Sequence, residues 1–149
     1  MVNIEYSPFK QRLISLLDGI RAYLTWLKGE ADQELRFVHR AMDNLPEDDR
    51  ITHAQLLNGE GLAYKLQLKQ PEVIQSFEAT LLAGEGMAGL FTAMVNCNLV
   101  SAQFLHDRLR QTFSNCQSIL RLANETDPGS KDLPFYNHLY ATMSLVQLE

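Results

Sequence analysis

An apolar pattern that returns at a fixed interval constrains this chain more than any other feature. The stretch Leu56 to Leu81 reads as a helix, a break at Lys69-Gln70-Pro71, and a second helix folding back on the first. So short a break makes the two helices antiparallel neighbours. Similar units lie on either side. The stripe Ala31, Leu35, Val38, Met42, Leu45 and the stripe Leu109, Phe113, Cys116, Leu120, Ala123 both run i, i+4, i+7, i+11, i+14, one face of a helix. Leu109 lies 78 residues after Ala31, twice 39. Halfway, the same shift predicts apolar residues at 74, 77 and 81, and the chain has Ile74, Phe77 and Leu81 there.

The preceding helix of each pair keeps the shift without having been used to find it. Leu17, Leu56 and Val95 correspond, as do Leu27, Leu66 and Leu105; Leu24, Ala63 and Ala102 stay apolar, and Ala22, Gly61 and Val100 stay small or moderate. Unrelated amphipathic helices share a period near 3.6 residues, but not one common shift in both members of every pair. The expected architecture is therefore all-α, a right-handed superhelical stack of antiparallel helix pairs with about seven helices.

Punctuation places those helices. Ser7-Pro8 offers an N-cap hydroxyl and a proline at the first helical position, and Gly29 closes a helix running to about Lys28. The second spans about 31 to 44 and stops before Leu45-Pro46. The acidic run Glu47-Asp48-Asp49 leads into a helix from about Arg50 to Lys69, with Gly59 and Gly61 inside it. Each interior glycine costs about 1 kcal/mol relative to alanine, so close approach of a neighbouring helix is expected. Pro71 opens a fourth helix to about Ala83, closed by Gly84-Glu85-Gly86; a fifth covers about 90 to 106. Asp107 caps a sixth to about Asn124, Asp127-Pro128-Gly129-Ser130 forms a loop, and Pro134 begins a seventh. The pairs are then about 8–45, 50–84 and 88–125, with an unpaired helix at about 134–149, in a single domain.

Composition excludes several functions. A net charge of −5, a pI near 5.3 and 18 acids against 13 Lys and Arg argue against direct nucleic-acid contact, which needs a concentrated basic face. No apolar run approaches the length of a membrane span, and the first residues lack a signal-peptide core. With Cys97 and Cys116 inside helical patterns, a soluble, reduced, cytoplasmic protein is expected. His39, His53, His106 and His138 show no metal-ligand spacing, and no nucleophile elbow or phosphate loop occurs. No metal, cofactor or catalytic residue is assigned, and the chain is read as no enzyme. YATMSLVQLE ends inside a helical pattern, so a piece of a longer protein is expected.

The central unit resembles the tetratricopeptide repeat, W-x2-L-G-x2-Y then A-x3-F. It reads Leu57-x2-Glu60-Gly61-x2-Tyr64, then Val73-x3-Phe77. The first unit keeps Ala22, Gly29, Ala41 and Pro46 but has Glu34 where that family has alanine, and the third keeps Asn98-Leu99. The family's unit is about 34 residues, and the longer unit here is similar to the superhelical sensor domain of large ATP-dependent, LuxR-type transcriptional activators, the maltose-regulon activator class. That resemblance implies a non-catalytic sensor or interaction region, flanked in the family by a nucleotide-binding module and a DNA-binding helix-turn-helix. The other reading is a free-standing adaptor that binds partner peptides.

In stacked helix pairs the first helix of each pair lines the concave face, where extended partners bind. By register that face includes Leu16, Tyr23 and Trp26, then Asn58, Leu62 and Lys65, then Met94, Cys97, Ser101 and Phe104. Trp26, Lys65 and Phe104 are equivalent by the shift of 39. Aromatic anchors beside a cation suit a protein or peptide partner, or a small ligand with an anionic group. The last helix is expected to expose Leu139, Met143 and Val146, and to support a homodimer or end-to-end packing.

Overall fold

The computed structural model describes residues 8–87, 89–106, 108–126 and 134–148. They form seven helices, and no strand occurs among the described residues. The chain divides into two compact units, Met1–Glu85 and Gly86–Glu149, where the sequence suggests one domain.

The first unit holds α1 (Pro8–Leu27), α2 (Ala31–Asp43), α3 (Arg50–Leu66) and α4 (Gln70–Ala83). The cap at Ser7 lies outside the described residues. Chain reversal between α1 and α2 is a Schellman closure: Glu30 N–H donates to Thr25 C=O at 3.0 Å and Gly29 N–H to Trp26 C=O at 2.8 Å, with Gly29 at φ +75°. Between α3 and α4 the same bonds form at the register-equivalent residues, Lys69 to Tyr64 at 3.0 Å and Leu68 to Lys65 at 3.1 Å. Leu68 holds the left-handed position with φ 58°. This closure ends α3 at Leu66, short of the expected Lys69. Asp49 caps α3 by accepting from Thr52 N–H at 3.1 Å, and Pro71 sits in the first turn of α4, where its missing donor does no harm.

Packing inside each pair follows the register. Ala22 and Val38 meet in a cluster with Ala41 and Leu56. In the second pair Gly61 faces Phe77 so closely that a methyl on Gly61 would lie 2.8 Å from the ring. The interior glycine is thus explained by close approach of an aromatic ring. Asp18, on the α1 face turned to α2, accepts from Arg40 Nε at 2.6 Å and Nη2 at 2.5 Å, and from Arg21 at 3.0 Å. Arg40's hydrogen bonds hold that carboxyl below its usual range, against the opposing effect of burial. Across α2 and α3, His39 Nε2 lies 2.9 Å from Glu60 Oε1, and Ser76 of α4 donates to Glu60 Oε2 at 3.0 Å.

The second unit holds α5 (Leu90–Leu105), α6 (Leu109–Thr126) and α7 (Pro134–Val146). Asp107 and the Asp127-Pro128-Gly129-Ser130 loop lie outside the described residues. The turn into α6 repeats the register once more, with Arg108 N–H donating to Gln103 C=O at 3.0 Å. Val100 and Cys116, equivalents of Gly61 and Phe77, share a core with Cys97, Tyr136 and Leu139.

Here one expectation is corrected. The last helix does not expose the residues expected of it, because α7 packs on both α5 and α6. Leu139 is fully buried and Met143 and Val146 are half-buried; among the described residues of this segment Tyr140, Leu145 and Leu148 are large and exposed. The cause is the register itself: Leu139 lies 39 residues after Val100, and that position is buried in all four first helices, at Ala22, Gly61, Val100 and Leu139.

Candidate functional site

The residues expected on the binding face have different fates. In the first unit Tyr23 and Lys65 are exposed and Trp26 and Leu62 are half-buried. Tyr23 and Trp26 are successive on one side of α1, with ring centroids 5.7 Å apart and planes tilted by 31°. Leu62 and Lys65 occupy the equivalent positions of α3. Two aromatic rings on one helix and an apolar stem with a cation on the next give this face area and one positive charge.

Asn58 is the correction on this face. It is 8% exposed and its Oδ1 has no hydrogen-bond partner. Its equivalents Cys97 and Tyr136 are buried as well, so this register position points into the packing and is unavailable to a ligand. Leu16 and Met94 are exposed and Cys97 is not.

In the second unit Phe104 is half-buried. Ser101, also half-buried, donates to Cys97 C=O at 2.8 Å, and its Oγ lies 2.7 Å from His138 Nε2. With the hydroxyl proton given to the carbonyl, Oγ accepts from the imidazole, the reverse of a base activating a nucleophile. Burial pushes both thiols up to about 11, with the Cys97 charge adding to the shift at Cys116, and the thiolate needed for reactivity is suppressed. Both cysteines are buried thiols outside any disulfide. Among the described residues no group of three or more His, Cys, Asp or Glu could hold a metal ion.

The sequence reading underweighted two features. Glu34 is 1% exposed, with Oε2 unpartnered, and desolvation pushes its carboxyl up to about 8. Its equivalents Val73 and Thr112 are buried too, so the departure from alanine was a visible sign of a carboxyl in the packing. The second feature is the outer face of α1. Phe9, Leu13, Leu16, Leu17, Ile20, Tyr23, Leu24 and Leu27 are all between 45% and 76% exposed. The abundance of apolar residues around α1 was legible, and among the described residues of the unit only its side toward α2 and α3 is covered. At the start of this face lies a cavity of about 310 Å³ between Phe9, Leu13 and Leu16 of α1 and Leu45 and Thr52, with Arg12 and Asp49 at its edge and the unpartnered Ser15 Oγ in its wall. No helix among the described residues is long and apolar enough to cross a membrane.

No known protein family, curated protein or solved structure matches the chain.

Proposed function

We propose that the chain is a non-catalytic binding module, the sensor or interaction region of a bacterial transcriptional regulator acting in the cytoplasm. In this reading the helix pairs stack as a right-handed superhelix of tetratricopeptide type. The observation that carries it is the row of exposed Tyr23 and Lys65 with half-buried Trp26 and Leu62, at equivalent positions of α1 and α3. Its mechanism is a shift of populations: a peptide or small anionic ligand held by the aromatic pair and Lys65 favours one arrangement of the module against its neighbours. The transcriptional setting comes from the resemblance of the repeat units alone. The free-standing adaptor stays open beside it, favoured by the apolar outer face of α1, and a nucleotide-binding module and a helix-turn-helix in the same gene would decide for the regulator.

The test is a thermal-shift screen of the purified chain against a peptide library and small anionic metabolites. A ligand lost in Trp26→Ala and Lys65→Glu, kept in Leu82→Ala on the exposed side of α4, and recovered unchanged after incubation is the expected outcome. A ligand that is chemically converted, or one indifferent to both substitutions, contradicts the reading.

A further inference from the structure

We propose that the outer face of α1 is a docking surface for an amphipathic α-helix from another protein, with acidic residues along one flank of its apolar stripe. The proposal deepens the binding-module reading and shares Tyr23 with it, but it rests on the outer seam centred on Leu17 and Leu24 rather than on Trp26 and Lys65. A failed screen at Trp26 and Lys65 leaves it intact, and its own failure leaves that row untouched.

The shape of the surface points to a helix. Leu13, Leu16, Leu17, Ile20, Tyr23, Leu24 and Leu27 recur at spacings of three and four, covering about a third of the helix circumference. This is the spacing of a seam that receives knobs from a facing helix. Within the same unit the equivalent seam of α3 is filled in just this way. Leu56, the equivalent of Leu17, is buried with Val38 and Ala41 of α2 and Ala22 of α1. Gly59, the equivalent of Ile20, would place a methyl 3.5 Å from Val38 Cγ2. The repeat thus uses this register face for helix-on-helix packing, and on α1 the face carries larger side chains and no described helix.

Charge selects the occupant. The chain is acidic overall, with a net charge of −5, yet among the described residues one long edge of the exposed arc is bordered by basic residues alone. Lys10 and Arg21 border one edge, and Lys28, in the turn just after the helix, continues it; they stand eleven and seven residues apart, close to three and two helical turns. Arg12 borders the other edge, 3.6 Å from Asp48 and 3.8 Å from Asp49. The lone acid of α1, Asp18, is buried against Arg40 and pairs with Arg21 as well, so Lys10 and Lys28 carry most of the charge of that edge. A partner helix with acids on the side facing Lys10, Arg21 and Lys28 meets complementary charge there. A second copy of α1 set antiparallel brings the same Lys10, Arg21 and Lys28 edge against this one and is repelled. An anionic lipid surface brings negative charge to the Asp48 and Asp49 edge as well, whereas a helix can leave that edge neutral.

The test uses labelled helical peptides of about three heptads, with leucine at the seam and either glutamate or lysine along one flank, titrated against the full chain by fluorescence anisotropy. The glutamate peptide should bind at least about tenfold more tightly than the lysine peptide, a difference that shrinks with salt. The double variant Leu17→Gln with Leu24→Gln, at two exposed positions, should lose the glutamate peptide while retaining its helical circular dichroism. Lys10→Glu with Lys28→Glu should reverse the preference in favour of the lysine peptide, and it disturbs no apolar packing. Equal binding of both peptides, or binding indifferent to Leu17 and Leu24, overturns the proposal. So does a homodimer in solution that Leu17→Gln with Leu24→Gln dissociates, or Leu24-dependent sedimentation with phosphatidylserine vesicles.

Discussion

The first two hairpins are built on one register and treat it differently. In α3 the positions facing the preceding pair are Leu56, Gly59 and Ala63, and their surroundings close to within contact distance of α1 and α2. In α1 the same positions are Leu17, Ile20 and Leu24, roughly half exposed. Where a neighbour is fixed by the chain, the seam is carved down to glycine and alanine so that backbones approach. Where no described helix covers it, the seam keeps large side chains. Inside the pairs volume is exchanged rather than removed: Ala22 with Val38, Gly61 with Phe77 and Val100 with Cys116 are all buried partners at equivalent positions. A small residue on one helix is matched by a larger one on the other, as close packing demands.

The most disruptive way to probe this difference is at the second hairpin's core. Phe77→Ala should lose about 3–5 kcal/mol in chemical denaturation, since Gly61 opposite it cannot fill the space. Gly61→Ala alone is expected to overpack against the ring, costing about 1–3 kcal/mol. The double variant Gly61→Ala with Phe77→Val, which imports the first hairpin's pair, should lose clearly less than its two single changes combined; simple additivity would break the volume-exchange account.

A second contrast exchanges the seams. Ala63→Leu gives α3 the residue of α1 at a fully buried site and should cost about 1–3 kcal/mol. Leu24→Ala, the reciprocal change on the exposed seam, should stay within about 0.5 kcal/mol. Equal costs would mean that the two seams are packed alike.

Glu34 sharpens the covered side, because it sits where α2 meets α3, with Oε1 4.0 Å from a methyl built on Gly59. Its folded pKa of about 8 lies above the ordinary 4.5, so between those values the folded chain holds a proton that the unfolded chain has released. Stability therefore falls as pH rises through that window, by about 1.4 kcal/mol per pH unit for one proton. Glu34→Gln should flatten that slope in denaturation midpoints measured from pH 5 to 8. Below the ordinary carboxylate range Asp18 acts in the opposite sense: its depressed pKa adds stability that is lost as pH falls.

The smallest effect is in the turns. Gly29 takes its left-handed conformation freely, whereas Leu68 at the equivalent position, with φ 58°, does so as an L-residue with a side chain. Leu68→Gly should raise stability by about 1 kcal/mol and Gly29→Leu should lower it by a similar amount, both read as shifts in thermal midpoint.

The fold was legible because helix ends carry local chemistry. Asp49, Pro71 and Gly29 each mark a boundary through a cap, a missing donor or a permitted positive φ, and the observed ends fall within a few residues of those marks. The register was legible because both members of each pair shift together. What escaped the sequence was burial along the register. Asn58 was placed on the binding face by register together with its equivalent Cys97, although a cysteine there already suited the interior. Leu139 was read as exposed because α7 was taken as unpartnered, although the shift that relates Val100 to Leu139 fixes the residue inside. The apolar outer face of α1 was visible as composition, but periodicity alone cannot separate a stripe covered within the chain from one left open.

The most direct test of the contrast between α1 and α3 is hydrogen exchange read by mass spectrometry, on the free chain and with the glutamate-flanked helical peptide added. The account predicts that amides of 13–27 exchange faster than those of 54–66 in the free chain and that the peptide slows the first segment alone. Equal protection of the two segments without peptide, or protection on binding that spares 13–27, would contradict it.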